Sequence, residues 1–277
     1  PRSARSHVFF RGLLLRATRS ARPQHPTLWP VPGVHVPDCP FDLDSIRDHE
    51  WVAGVVYRET VESTSDLALE LAAEGSHPPG PPLLVLAGEQ TRGRGQPGRR
   101  WESTDGSLTF SLLLTQPTPL SLQALPPLAL ATALGISRAL SACLATTRST
   151  QADPAAMLKW PNDVLLGGAK LAGILLEISG DLTGEALVVI GVGVNVLMDS
   201  AEAVDQAWTS LYRTGQSATL DRNQLVAAFL RRLAPAMDVF RAEGFAPFRE
   251  AWQQRDAWAG QPVRVVSGSQ QQLGLSA

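Results

Sequence analysis

Lysine occurs only twice in the 277 residues, at Lys159 and Lys170, and the remaining 24 − 2 = 22 basic side chains are all arginine. Both lysines fall in KWPNDVLLGGAKLAGILLE, with Asn162 and Asp163 between them. Two ammonium groups at neighbouring strand ends would neutralise phosphate oxygens, the electrostatic work that phosphoryl and nucleotidyl transfer requires. Lys159 also reads as a plain surface charge at a strand end, whereas Lys170 opens an otherwise apolar strand and is harder to explain that way.

A second cationic stretch, RGRGQPGRRW, carries Arg92, Arg94, Arg99 and Arg100 among glycines, bordered by Gln90 and Trp101. Its glycines, Gly93, Gly95 and Gly98, have the spacing G-x-G-x-x-G. A dinucleotide fingerprint needs a helix directly after those glycines. Here LLVLAGEQ enters the loop and SLTFSLLL leaves it, so the glycines join strand to strand. What remains is a loop whose backbone N–H groups and guanidiniums can approach an anion, or else a solvated basic hairpin. VVIGVGVNV adds Gly191 and Gly193 inside a strand, where glycine weakens pairing unless something must approach closely or a bulge is needed. Asn195 follows two residues later as a candidate reader of a base or ribose. Ser63, Thr64 and Ser65 supply hydroxyls at a helix start.

The five histidines, His7, His25, His35, His49 and His77, lie away from these motifs, and Cys39 and Cys143 have no metal-ligand spacing. No Ser-His-Asp set, zinc site or disulfide framework is indicated. The chemistry these residues offer is electrostatic.

The elements that would position them form an α+β pattern. A short helix in FDLDSIRDHEW leads to an alternating strand, WVAGVVYRETVE, and Ser63 caps a helix over STSDLALELAAEG. Residues 121–145 read as a long apolar helix with an irregular first turn at Pro126 and Pro127. Four strands follow, MLKW, DVLL, AKLAGILLEI and EALVVIGVGVNV, joined by turns short enough to force antiparallel pairing. Helices are expected over about 201–213, over 221–243 with a bend or a break near Pro235, and over 245–257. The closing GQPVRVVSGSQQQLGLSA holds one good strand and part of another.

Residues 1–22 carry six arginines and no acid, leaving 18 basic against 26 acidic residues in the remainder. That mildly acidic body argues against broad nucleic-acid binding, and no run of about 18 uninterrupted apolar residues suggests a membrane span. The basic start and the proline-rich stretch after it read as an extension over 1–40, with organellar import as one alternative to a cytoplasmic protein.

The stretches ESTSD, EQTRGRGQPGRRW, KWPNDVLLGGAKLAGILLE and IGVGVNV, in this order and spacing, resemble bacterial biotin protein ligases, the biotin–[acetyl-CoA-carboxylase] ligases, over about residues 42–266. The resemblance implies a catalytic domain over 41–258 with an antiparallel sheet like that of class II aminoacyl-tRNA synthetases. It also implies a small SH3-like domain, of which 259–277 would be an incomplete part. The implied reaction joins biotin to AMP at the expense of ATP, then transfers biotin to a lysine of a carboxyl carrier protein. By resemblance Ser63, Thr64, Ser65, Gln90, Arg94, Gly95, Gln96, Lys170 and Gly173 would bind biotin, with Lys170 and Arg94 catalytic. Trp101, Lys159, Asn162, Asp163, Gly191, Gly193 and Asn195 would serve ATP. Mg²⁺ would arrive mainly on the ATP phosphates, with Asp163 as its one protein ligand candidate. The expected partner is the biotin carboxyl carrier protein of a carboxylase, with no nucleic acid or membrane, and the family leaves room for a homodimer.

Three departures from the family stand out, the smallest being Ser65 in place of a common asparagine. Gln96 stands where many relatives have arginine in the loop that retains the adenylate, and the C-terminal domain stops after LGLSA. A binder of biotin or its adenylate without catalysis is the alternative these departures raise, and lipoate or octanoate transfer on the related fold is a weaker one.

Overall fold

The computed structural model describes residues 39–47, 49–75, 80–96, 99–103, 106–116, 125–145, 155–180, 186–200, 204, 206–215, 221–267 and 270–276. The extension expected over 1–40 therefore lies outside the described residues except for its last two positions, as does the start of the helix expected from residue 121.

Seven strands make one sheet in the order β1-β2-β3-β7-β6-β5-β4. They are β1 (Gly54–Val61), β2 (Leu83–Gln90), β3 (Leu108–Gln116), β4 (Met157–Lys159), β5 (Asp163–Leu166), β6 (Ala169–Gly180) and β7 (Ala186–Val194). The meander β4-β5-β6-β7 pairs antiparallel throughout, as its short turns require. The β5–β6 turn is Gly167-Gly168, both at positive φ (60° and 81°), which a two-residue hairpin loop needs and glycine adopts without strain. One edge departs from the expected antiparallel sheet: β1 runs parallel to β2, with helix α2 (Thr64–Ala73) as the crossover. The sheet is mixed. A helix between two strands is long enough to bring the chain back to its starting edge, which parallel pairing demands.

The two faces of the sheet are unlike. On one, Leu84, Leu86, Phe110, Leu112, Ile174, Ile190 and Val192 pack beneath helices α3 (Leu128–Ala145) and α4 (Arg222–Glu243) in the principal core. With a mean hydropathy of 1.6, α3 is long and apolar enough to cross a membrane, but two-thirds of it is buried in this core. The opposite face carries a smaller cluster of Val56, Ala68, Leu83, Val85, Leu113 and Val189 under α2. Beyond α2 that face is lined by small and polar residues.

One helix expectation is narrowed and two are revised. Helix α4 runs unbroken through Pro235, which occupies its exposed side while Leu233, Met237 and Phe240 stay buried. Burial along that stripe outweighs the roughly 3 kcal/mol a mid-helix proline costs. The region expected to be helical over 201–213 is not, where it is described: residues 206–210 are extended and 211–215 form turns. Ala207, Thr209, Leu211 and Tyr212 spend backbone groups on Lys170, Asn195 and Val196, and the bonds of Thr214 to Ser210 and of Gly215 to Tyr212 close turns rather than a helix. Residues 245–257 hold a 3₁₀ turn (Ala246–Phe248) and a short helix α5 (Arg249–Gln253) rather than one helix. The C-terminal segment forms two full strands, β8 (Pro262–Ser267) and β9 (Gln270–Leu275), paired antiparallel as a separate hairpin.

Candidate active site

Strand register builds the floor of the site. Two transverse rows cross the open face: Val85, Ser111, Gly191 and Leu175 in one, Ala87, Thr109, Gly193 and Gly173 in the next. Pairing of β7 with β3 and β6 is uninterrupted through both glycines, so no bulge explains them. Close approach does. A Cβ on Gly193 would lie 2.3 to 2.7 Å from the indole of Trp101, and one on Gly191 would lie 3.0 Å from the hydroxyl of Ser65. Trp101 thus lies flat over the second row, spanning Gly193 and Gly173, while the start of α2 sits against the first.

Lys170 owes its position to a fault in the pairing of β5 with β6. Register shifts between Val164 and Leu165, which pair with Ala172 and Lys170, so Leu171 has no partner on β5. Leu171 and Ala172 consequently both point into the principal core, although strict alternation would send Leu171 to the other face. The bulge turns Lys170 onto the same face as Gly173, which is how such irregularities re-aim a side chain. Its Cε and Nζ lie 3.2 and 3.3 Å from where a Gly173 Cβ would be, and Nζ sits 5.5 Å from the centroid of the Trp101 ring.

Both lysines converge on one carboxylate. Asp163 forms ion pairs with both, at 2.8 Å from Lys170 Nζ and 3.9 Å from Lys159 Nζ, with the Asp163 side chain only 9% exposed. Asn162 plays a different part: its Nδ2 donates to the Ile174 carbonyl (2.7 Å), pinning the WPND turn to β6. The Trp160–Pro161 peptide bond in that turn is cis.

A buried polar network fills the space between α2 and the first row. Gln90 Oε1 accepts from both the amide (2.8 Å) and the hydroxyl (3.0 Å) of Thr64. Ser111 Oγ lies 2.8 Å from Thr64 Oγ1 and 3.1 Å from Ser65 Oγ. Ser63 caps α2, its hydroxyl accepting the Ser65 amide. These hydroxyls and the Gln90 amide form a short-range hydrogen-bonding surface beside an apolar floor, a setting suited to a small polar ring attached to an apolar chain.

The arginine loop is fixed at both ends, Thr91 and Arg92 donating to the carbonyls of Val61 and Glu62, and Trp101 donating to Gly93. Arg94 Nη2 lies 2.8 Å from both Asp66 Oδ1 and Glu177 Oε2. Burial pushes the Glu177 carboxyl above the usual carboxylate range, offset in part by Arg94, with neighbouring Asp66 adding to the upward push. Gly95 donates to the Arg99 carbonyl, and Gln96 is exposed with its own carbonyl taken by Arg99. Asn195 is buried, its Nδ2 donating to the carbonyls of Thr209 (3.0 Å) and Lys170 (3.5 Å).

The structure therefore gathers Thr64, Ser65 and Gln90 in one network, Trp101, Lys170, Gly173 and Gly193 in a second, and Lys159 and Asp163 at its edge. Three participants carried no sequence signal of their own. Ser111 is one polar residue in a strand of leucines, Glu177 closes an apolar run, and Trp208 lies in a segment that looked helical. Trp208 forms a parallel bridge with Lys170, and the Arg213 guanidinium lies 4.7 Å from its ring centroid. Trp101 Nε1, Thr109 Oγ1 and Arg94 Nε are buried without a hydrogen-bond partner in this region, a pattern that calls for a functional or solvent explanation.

No group of three His, Cys, Asp or Glu side chains suited to a metal occurs among the described residues. Asp163, already neutralised by two ammonium groups, is a poor cation ligand. Positive charge here comes from lysine.

The model of the biotin/lipoate A/B protein ligase family matches residues 57–195. The chain is 36% identical over 229 residues to a biotin–[acetyl-CoA-carboxylase] ligase of Paracoccus denitrificans, covering 77% of this chain and 85% of that one. It is 34% identical over 193 residues to the bifunctional ligase/repressor BirA of Escherichia coli, covering 69% of this chain and spanning 57% of that protein's length. Among solved structures, the biotin protein ligase of Aquifex aeolicus in complex with biotin and ATP superposes with a TM-score of 0.66 at 28% identity, over 80% of this chain and 86% of that one.

Proposed function

The chain belongs to the biotin/lipoate A/B protein ligase family, and from that membership and the site's geometry we propose that it is an ATP-dependent biotin protein ligase. It activates biotin as biotinyl-5'-AMP and transfers it to a lysine of a biotin carboxyl carrier protein.

In the first step a carboxylate oxygen of biotin attacks the α-phosphorus of ATP. The bond from that phosphorus to the α,β-bridging oxygen breaks, and pyrophosphate leaves. Two anions must meet, so the barrier is lowered by positive charge placed between them in a partly dry site. Lys170 is the group for this work: its bulge aims it at the floor, its side chain is only 15% exposed, and Trp101 covers the same strip. Lys159 adds positive charge on the side of the outgoing phosphates, and Asp163 holds the two lysines together. Magnesium enters as part of the MgATP substrate and is held by phosphate oxygens.

The hydroxyls of Thr64, Ser65 and Ser111 with the Gln90 amide bind the ureido ring, and the loop carrying Arg94, Gly95 and Gln96 borders the reacting carboxylate. Gly191 and Gly193 keep the sheet flat beneath ligand and Trp101, and Asn195 holds the adenine side through its neighbouring carbonyls. In the second step the ε-amine of the carrier lysine attacks the acyl carbon, AMP leaves, and the amide forms with loss of a proton. No side chain in the site is required as a covalent nucleophile.

The observation that carries this reading is the bulge-aimed Lys170 lying beneath Trp101 next to the Thr64–Ser65–Ser111–Gln90 network. Incubation with labelled biotin, MgATP and an isolated carrier domain tests it. Pyrophosphate release followed by biotin on the carrier supports the ligase. Biotin binding without pyrophosphate release refutes it in favour of a binder, and acceptance of lipoate in preference to biotin refutes the substrate assignment.

A further inference from the structure

Of the four arginines in the loop, Arg94 is held unlike the others. Arg92 pairs with Glu62 where both side chains are mostly exposed, a contact worth little. Arg94 joins three elements at once: its own loop, the first turn of α2 through Asp66, and β6 through Glu177. A single nitrogen, Nη2, serves both carboxylates at 2.8 Å, and all three side chains are largely shielded, at 34%, 39% and 26% exposure.

Ser65, the residue before Asp66, meets Ser111 through its hydroxyl, and Ser111 in turn meets Thr64, which donates to Gln90. Two carboxylates around one guanidinium leave a net negative charge in a half-buried place, and burial already disfavours the Glu177 carboxylate. Such an arrangement costs stability unless fixing the loop repays it.

We propose that Asp66 and Glu177 are positioning residues that hold Arg94, and with it the described flanks of the loop at 91–96 and 99–101, against the biotin pocket. This rests on the ligase reading for its consequence, though not for the clamp itself. Neither residue needs to touch substrate. Their effect is to keep the loop backbone where it borders the pocket, so their loss weakens retention of biotin and adenylate more than it slows chemistry at saturation.

Hydrogen–deuterium exchange of the full chain, without substrates, reads the clamp at the amides of Gly95 and Trp101, both hydrogen-bonded within the loop. In Glu177→Gln and in Asp66→Asn these should exchange about two- to five-fold faster, the upper part of the range that partly exposed ion pairs supply. The double variant should show less than the product of the two effects, because both act through Arg94. In turnover with biotin and ATP, KM for biotin should rise in each variant with little change in kcat. Wild-type exchange at Gly95 and Trp101 in both single variants would overturn the proposal, as would faster exchange spread equally over β3 and β7. Asp66→Asn, on the more exposed partner, keeps the test available if Glu177→Gln does not fold. Failure of wild-type protein to form any adenylate would instead sink the ligase reading and leave the exchange result intact.

Discussion

Substituting Gly193 by alanine adds one methyl group at the most crowded point of the site. The new Cβ would lie 2.3 Å from Trp101 Cε2, against an ordinary contact of at least 3.4 Å, so the indole must retreat by about 1.1 Å (3.4 − 2.3). The sheet cannot yield, because Gly193 is paired on both sides, to Thr109 and to Gly173. Trp101 can, being at the end of a loop. Its retreat would strain the hydrogen bond to Gly93 and remove the ring from Lys170. Overpacking of this kind costs about 1–3 kcal/mol. Charged to the docked position of Trp101, that corresponds to a shift of about 5- to 150-fold between docked and undocked loop. We expect KM for ATP in pyrophosphate release to rise within that range, with the midpoint of thermal unfolding almost unchanged. Gly191→Ala is the comparison: its Cβ meets the Ser65 hydroxyl rather than Trp101, so KM for biotin should rise instead. Unchanged KM for ATP in Gly193→Ala would refute the packing argument, and a large fall in melting temperature would show that the sheet had moved.

Lys170→Ala should slow adenylate formation about 10²- to 10³-fold, the loss typical of one preorganised charge-stabilising group, while circular dichroism shows the fold retained; an unchanged pyrophosphate burst would remove the role given to it. Ser111→Ala takes away the hydroxyl shared by Thr64 and Ser65 and should cost about 1–2 kcal/mol in denaturant unfolding, together with a higher KM for biotin. Gln96→Arg adds a guanidinium to an exposed part of the loop and should slow escape of the adenylate, read as release of labelled biotinyl-AMP into excess unlabelled biotin. His49 has its pKa lowered by burial and then by Arg231, and its Nδ1 accepts the Trp51 amide. The unfolded chain therefore binds this proton first, so stability present above about pH 6.5 is lost as pH falls through the depressed folded value. A His49→Asn variant should show a flatter stability profile from pH 7.5 to 5.5.

Much of the site was legible in the sequence because its signals are local. The strand pattern around RGRGQPGRRW excluded a dinucleotide loop, two lysines stood out in a chain otherwise using arginine, and glycines inside VVIGVGVNV asked for either a close approach or a bulge, a choice that the uninterrupted register then made. The turns at Pro161-Asn162 and Gly167-Gly168 fixed the antiparallel meander, since so few residues permit nothing else. What approaches the glycines was decided elsewhere in the chain: Ser65 comes from α2 and Trp101 from the far end of the loop, more than ninety positions before Gly193. The parallel edge β1–β2 likewise depends on how the crossover helix packs, and alternation within either strand is the same for both directions. The bulge at Leu171 is the sharpest case. Periodicity along β6 sends Lys170 into the core, and only pairing with β5 turns it to the open face. Residues 206–210 are extended for a related reason, their backbone being claimed by Lys170 and Asn195. Composition and spacing determined which groups could do the chemistry. The tertiary structure decided where they point, because side-chain direction in a sheet is set by register, and register is a contact between distant parts of the chain.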